Sequence, residues 1–376
     1  MAKIWTYLIA GLIVGLVIGI PLGYVVSPKP VSTTTTTTTQ SQQVFTIGAA
    51  GTLKFAFGNL LNLTNKLYPG LSTGTPLFKG SGEVAQDEIS TKEFSVVASA
   101  DTTTIPADLF KNVTNYEIAF GVTQMVVIVD LQTQPGKEVY SLWKQVQTME
   151  PLSQQWNQTW KQIFSIIALN PSTVVGVSNP FTDPSGYQAQ CVLKLAGLTF
   201  FNNASYLYNS VYGNVNRYDM RNTEIDLLTL MATNNSVQFI LSGYLSNAMP
   251  QTKSYQSQGI NITYITLPPQ INLGNLSYVN YYHNVNVTWT ELGETKTFTC
   301  NPVVYTITIP EQAPNKNAAI NFILLLFSPL GQQILQQYGI NPIVPGIVYG
   351  NISSVPAQIR PFVIPVNQTN LASIFP

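Results

Sequence analysis

An α/β architecture is predicted for the body of this chain, and three observations predict it. Short runs rich in β-branched residues alternate with segments whose apolar residues recur at helical spacing. The joints between them are Gly/Ser/Thr or Asp-Pro turns, the usual start of a helix that follows a strand. The chain has 376 residues and 45% apolar content, material for one large or two medium domains that each bury a core.

Residues 44–49 read as the first strand, running through Gly51-Thr52-Leu53 into a helix that Pro69-Gly70 ends near residue 68. Gly80-Ser81-Gly82 opens a helix over 83–89, and 95–99 is a strand that stops at Ala100-Asp101. The β-branched run at 125–129 reads as a buried strand. A helix over 140–146, a strand over 174–177 and a helix over 187–196 follow, the last starting just after Asp183-Pro184-Ser185-Gly186. Leucines at helical spacing place a helix at 224–231, and 237–241 is a strand leading to Tyr244. Strands at 260–267 and 303–309 complete the set, and helices at 317–327 and 331–338 are split by Ser328-Pro329-Leu330.

The N-terminus is of another kind. Residues 4–26 are 23 uncharged positions preceded by Lys3. As a helix they would reach roughly 34 Å, enough to cross a hydrocarbon core of about 30 Å. A cleaved signal has a shorter apolar region and an Ala-x-Ala-like site, neither of which is present, so 1–27 is expected to be a transmembrane anchor with an inside N-terminus. Residues 28–43 hold seven consecutive threonines, Thr33 to Thr39, and read as a Thr-rich stalk. Ten Asn-x-Ser/Thr sequons lie in the body, which is expected to be extracellular and glycosylated. The only two cysteines, Cys191 and Cys300, fit one disulfide or two separately buried thiols equally well.

Charge is scarce: 9% of residues are Asp, Glu, Lys or Arg, against roughly 25% in ordinary soluble proteins. Net charge is zero and no basic run occurs, which sets nucleic acid aside as a partner. In such a chain each carboxylate needs a reason. Asp183 by itself is an N-cap ahead of Pro184, and Glu224 by itself is a first-turn acid favoured by the helix dipole. Thr52, Ser81 and Ser185 sit at strand-to-helix turns, where backbone N–H groups point outward and can seat an anion. Each alone is also an ordinary cap.

The ordered set Gly48-Ala49-Ala50-Gly51-Thr52-Leu53, Gly80-Ser81, Ala98-Ser99-Ala100-Asp101, Asp183-Pro184-Ser185-Gly186-Tyr187, Glu224-Ile225-Asp226-Leu227-Leu228, Tyr244-Leu245-Ser246-Asn247-Ala248 and Pro302-Val303-Val304-Tyr305 resembles the archaeal tungstate/molybdate-binding proteins of ABC importers. The resemblance implies a two-lobed type II periplasmic-binding-protein fold, with lobe 1 at 44–126 and 303–376 and lobe 2 at 127–302. It implies that Thr52, Ser81, Ser185 and Tyr244 bind the oxyanion and that Asp183 and Glu224 ligate its metal. It further implies a membrane permease and an ATPase as partners, tungstate or molybdate as ligand, and no enzymatic activity. Thr52 replaces the family's usual serine and keeps the hydroxyl, Ser185 stands where cysteine is common, and Thr102 replaces an aromatic residue.

A hydrolase using the two acids is disfavoured because His283 is the only histidine and no Gly-x-Ser-x-Gly elbow occurs. Capture of another oxyanion such as sulfate, or a surface glycoprotein with an idle cleft, are the alternatives.

Overall fold

Two mixed β-sheets organise residues Gln43–Pro376, the part that the computed structural model describes. The expected anchor and nearly all of the stalk lie outside these residues. In chain order the strands are β1 (Ile47–Ala50), β2 (Leu77–Lys79), β3 (Val96–Ser99), β4 (Tyr116–Thr123), β5 (Met125–Asp130), β6 (Val175–Ser178) and β7 (Tyr218–Arg221). They continue with β8 (Phe239–Tyr244), β9 (Ile262–Thr266), β10 (Asn286–Glu291), β11 (Glu294–Thr299), β12 (Val303–Thr308), β13 (Asn341–Gly350) and β14 (Val363–Pro365).

The first sheet has the order β14-β13-β4-β12-β3-β1-β2 and the second β7-β6-β8-β5-β9, while β10 and β11 form a separate hairpin. The chain therefore leaves the first sheet after Thr123, enters the second at Met125, and returns through Cys300-Asn301-Pro302 into β12. Each sheet is the floor of one lobe, and this is the two-lobed α/β fold that the sequence implies.

Within each lobe the strands that lead into the cleft pair in parallel: β1 with β2 and β3, and β6 with β7 and β8. Parallel strands need helical crossovers, so helices cover the sheets and the strands' carboxyl ends meet helix N-termini. In open α/β sheets that edge is where ligands sit. Both faces of the sheets are covered, and β1, β3, β4, β5, β6, β8 and β12 are buried throughout.

In the first lobe Phe45 and Phe57 pack against Phe322 of the Lys316–Phe327 helix, with ring centroids 5.9 and 5.3 Å apart. In the second, Trp160, Phe164 and Phe200 form an aromatic cluster that fills the space between the Gln154–Phe164 and Pro184–Phe201 helices. Cys191 and Cys300 are joined by a disulfide that encloses a sequence separation of 109 residues. It ties the Pro184–Phe201 helix to the segment that returns the chain to the first lobe.

Candidate functional site

The carboxyl ends of the strands bring the candidate residues into the cleft between the lobes. From the first lobe, β1 turns at Gly51-Thr52 into a short 3-10 turn and then the Lys54–Leu67 helix. β2 turns at Gly80 into the Ser81–Thr91 helix. From the second lobe, the chain after β6 reaches Asp183, the N-cap of the Pro184–Phe201 helix, and the chain after β7 reaches Glu224, first residue of the Glu224–Asn234 helix.

Gly186 shows why that first turn is so tightly specified. A Cβ there would lie 2.3 Å from the Ser178 carbonyl oxygen, so only glycine lets the helix start against the end of β6. Gly80 does the same between lobes, because a Cβ would lie 2.0 Å from the Thr182 carbonyl oxygen. The two turns are in contact and the cleft is closed.

Thr52, Ser81, Asp183 and Glu224 line one small cavity with Ala50, Gly51, Ala100 and Thr223. The centres of water-sized molecules have about 10 Å³ there, room for roughly one water. Asp183 and Glu224 are 5% and 2% exposed. Asp183 accepts from the Ser185 backbone N–H at 3.0 Å, the geometry of an N-cap. Glu224 accepts from Asn247 Nδ2 at 2.5 Å. Burial pushes the Asp183 carboxyl above its ordinary range, the Ser185 N–H pulling the other way. Burial raises Glu224 too, and the neighbouring Asp183 charge adds to it. Two acids from separate helices thus share one closed space, and the ammonium of Lys79, which also lines it, is paired with Asp87 at 3.1 Å.

The hydroxyls around this space are under-used. Thr52 Oγ1, Ser178 Oγ and Ser185 Oγ are buried without a hydrogen bond of acceptable geometry, Thr52 facing the Tyr305 hydroxyl and the two serines facing the Asp183 carboxyl. Ser81 Oγ accepts from the Ala100 N–H at 3.0 Å and keeps its own proton to donate. Buried unsatisfied hydroxyls are rare in native structures and call for an explanation such as a ligand.

Not every candidate faces the cavity. Ser185 lies behind Asp183 at the base of the helix, outside the cavity lining. Tyr244, fully buried at the end of β8, donates its hydroxyl proton to Gln188 Oε1 and also stands outside the lining. Its phenol is pushed well above the ordinary range, by burial first and then by the Asp183 charge, so it lies near the acid.

Sequence reasoning did not single out the residues that organise the acids. Asn247 holds Glu224, and Gln188 links Tyr244 to Tyr187, whose hydroxyl donates to Asp101 Oδ2 of the other lobe at 3.2 Å. Tyr305 of β12 pairs with Ser246 at 2.7 Å. Asn247, Asp101 and Tyr305 lie inside the motifs already quoted, and membership of those motifs is the one signal that the sequence offers for them.

A larger opening of about 580 Å³ adjoins the other side of Asp183, walled by Tyr187, Phe298, Lys296 and Asp108 and roofed by the β10–β11 hairpin. No group of three or more His, Cys, Asp or Glu side chains suited to a resident metal ion occurs among the described residues.

The profile of the bacterial extracellular solute-binding proteins matches residues 45–341. The chain belongs to that family. It is 28% identical over 319 residues to a solute-binding protein of Petrotoga mobilis, covering 83% of this chain and 88% of the relative. It is 28% identical over 287 residues to the molybdate/tungstate-binding protein WtpA of Thermococcus kodakarensis, covering 72% of this chain and 71% of the relative. Among solved structures, the sulfate-binding protein SubI of Mycobacterium tuberculosis superposes with a TM-score of 0.50 at 13% identity, covering 88% of this chain and 96% of that one. That likeness speaks for the two-lobed fold of the solute-binding protein. Proteins of this family bind solutes rather than transform them.

Proposed function

We propose that this solute-binding protein captures tungstate or molybdate for an ABC importer, with Asp183 and Glu224 as the carboxylates that ligate the metal. The observation that carries the reading is the convergence of these two acids, from different helices, on one cavity with Thr52 and Ser81. A carboxylate about 4 Å from a dianion is repelled by roughly 4 kcal/mol per charge pair at an effective dielectric of 20. A site for a plain tetrahedral dianion gains nothing from two of them. A hexavalent metal in an oxyanion accepts further hard oxygen ligands and can go from four oxygens to six, which sulfur in sulfate cannot do. The acids then become ligands instead of repellents. The names of the WtpA relatives, which share 28% and 27% identity with this chain, support the same reading.

The roles follow from position. Backbone N–H groups of the Gly51-Thr52 and Gly80-Ser81 turns, with the Thr52 and Ser81 hydroxyls, would donate hydrogen bonds to the ligand's oxygens. Ser185 would contribute through its N–H, already turned to Asp183, and Tyr244 through its hydroxyl once Gln188 releases it. The closed cavity holds about one water, so the ligand must enter with the lobes apart and replace that volume as they close. Delivery would be to a membrane permease driven by an ATPase.

Isothermal calorimetry is the test. Tungstate and molybdate bind in the micromolar range or tighter, sulfate does not, and Asp183→Ala abolishes binding of both metal oxyanions. Equal binding of sulfate overturns the reading.

The same proposal puts the protein at the cell surface, held by the 1–27 segment. All ten sequon asparagines are exposed or half-buried, so each is open to a sugar. Full-length chain sedimenting with membranes while a chain starting at Gln43 stays in the supernatant is the expected result; equal partitioning would rule the anchor out.

A further inference from the structure

The Leu245–Ser257 helix starts where β8 ends, and its first turn carries two buried polar side chains with different partners. Asn247 has no exposed surface. Its Nδ2 donates to Glu224 Oε1 at 2.5 Å, and its Oδ1 accepts from the Tyr244 backbone N–H at 3.2 Å. These two partners fix the amide's orientation, since only the NH2 group can face a carboxylate and only the oxygen can face an N–H. The adjacent Ser246 reaches the other way, sharing a hydrogen bond of 2.7 Å with the Tyr305 hydroxyl on β12. One helical turn therefore holds the second acid and touches the opposite lobe.

A glutamate has three rotatable bonds, and from its own helix the carboxyl of Glu224 meets only its own backbone N–H. Glu224 Oε1 also lies near the Gly51 turn, 3.9 Å from where a Cβ on Gly51 would be. A carboxylate offers about four lone-pair directions. One taken by Asn247 leaves the rest for a ligand while pinning the group at the cavity wall.

We propose that Asn247 is a positioning residue for Glu224 and thereby sets the preference for an oxyanion whose central atom accepts further oxygens over one, such as sulfate, whose central atom does not. The inference rests on the oxyanion reading given above. Sulfate could use only the turn N–H groups and hydroxyls, so the placement of Glu224 brings it no gain. An expandable metal centre needs that carboxylate at bonding distance. Removing the Asn247 donor lets Glu224 rotate away from the cavity wall, so affinity falls for the metal oxyanions alone.

The test is a double-mutant cycle on the full chain with Asn247→Ala and Glu224→Gln, titrated calorimetrically with sodium molybdate, tungstate and sulfate. Asn247→Ala is expected to weaken molybdate about ten- to a hundredfold, the range of a charge-assisted hydrogen bond, while sulfate binding does not change. In the Glu224→Gln background the same substitution should add less than about twofold. X-ray absorption at the molybdenum edge should count fewer oxygen ligands in Asn247→Ala than in the parent. A full loss that persists in the Glu224→Gln background, or an equal fall for molybdate and sulfate, overturns the proposal. Should the alanine variant fail to fold, Asn247→Leu restores the lost volume without a donor or a charge, and the same two outcomes decide. Absence of molybdate and tungstate binding by the parent protein instead sinks the oxyanion reading, which is a separate result.

Discussion

Tyr187 donates its hydroxyl proton to Asp101 across the interlobe cleft, 3.2 Å away, from a point one helical turn beyond Asp183. Phe298 stacks flat on the same ring, with centroids 4.3 Å apart and planes 2° from parallel. One turn further along that helix comes Cys191, disulfide-bonded to Cys300. The helix face that begins at the candidate ligand acid thus continues into an interlobe hydrogen bond and then a covalent tie to the returning strand.

Loss of that interlobe bond should weaken closure without harming the fold. Asp101 retains the Ser99 and Thr103 hydroxyls and the Thr104 N–H, at 2.9, 2.7 and 3.0 Å, so Tyr187→Phe does not orphan it. The expected loss is about tenfold in affinity, equal for tungstate and molybdate, because the bond acts on closure rather than on the metal. Calorimetry checks the affinities, and an unchanged melting temperature of the unliganded protein checks the fold.

Gly80→Ala is a sharper probe of the same closure. The new methyl would meet the Thr182 carbonyl oxygen at 2.0 Å, and that oxygen belongs to the other lobe, so the clash exists only when the cleft is shut. Binding should fall by about five- to a hundredfold while stability changes little, since overpacking of this kind costs of the order of 1–3 kcal/mol and here falls on one conformer. Small-angle scattering should find the variant open with and without molybdate. A variant that compacts on adding ligand as the parent does would remove Gly80 from the closing contact.

How much of this was legible in the sequence depended on covering and on scarcity. The runs ending at Ser99 and Tyr244 could be read because both faces are buried and each holds an unbroken apolar stretch, Val96-Val97-Ala98 and Phe239-Ile240-Leu241. β4 could not, although it is central in the first sheet, because Glu117 and Gly121 break its apolar run. The β10–β11 hairpin was also hidden: the pairs Thr288–Thr297 and Thr290–Thr295 give it a polar ladder with no apolar stripe. Among the site residues, Asp183 and Glu224 stood out since acids are rare here. Gln188, Asn247 and Tyr305 did not, because amides and the 19 tyrosines are everywhere in the chain, and only three-dimensional placement separates the ones that work on the acids.

The disulfide should carry a large part of the stability. A cross-link enclosing about 100 residues removes loop-closure entropy from the unfolded chain worth roughly 4 to 5 kcal/mol in the chain-entropy account, and this bond spans a separation of 109. Both sulfurs are fully buried, so reduction should need partial unfolding first. Thermal scans with a strong reductant, or of a Cys191→Ser/Cys300→Ser chain, should therefore show a melting temperature lowered by several degrees. An unaltered transition would mean that the bond merely decorates an already fixed contact between helix and strand.

Acid should stabilise the unliganded protein, contrary to the usual behaviour of carboxylate-rich proteins. Glu88 is 1% exposed, and burial lifts its carboxyl from 4.5 to about 7 despite the Phe94 N–H it accepts at 3.1 Å. Glu117 is fully buried in β4 with neither carboxyl oxygen hydrogen-bonded, and burial drives it well above its ordinary range. Thr306 offsets little of this, its hydroxyl being turned to the Asp101 carbonyl. Asp183 and Glu224 shift in the same direction, chiefly through burial. In every case the folded state keeps a proton that the unfolded chain releases, so the stabilisation is complete below the unfolded value and fades as pH climbs through the folded one. For Glu88 that window runs from 4.5 to about 7. Few opposing charges build up on acidification, because only 17 Lys and Arg residues are present. The melting temperature of the unliganded protein should rise steadily as pH is lowered from about 8 to about 4. Glu88→Gln should flatten the part of that slope below about 7, since the amide can still accept from Phe94 without titrating. A melting temperature that falls across the same interval would show that these buried carboxyls are ionised in the folded protein.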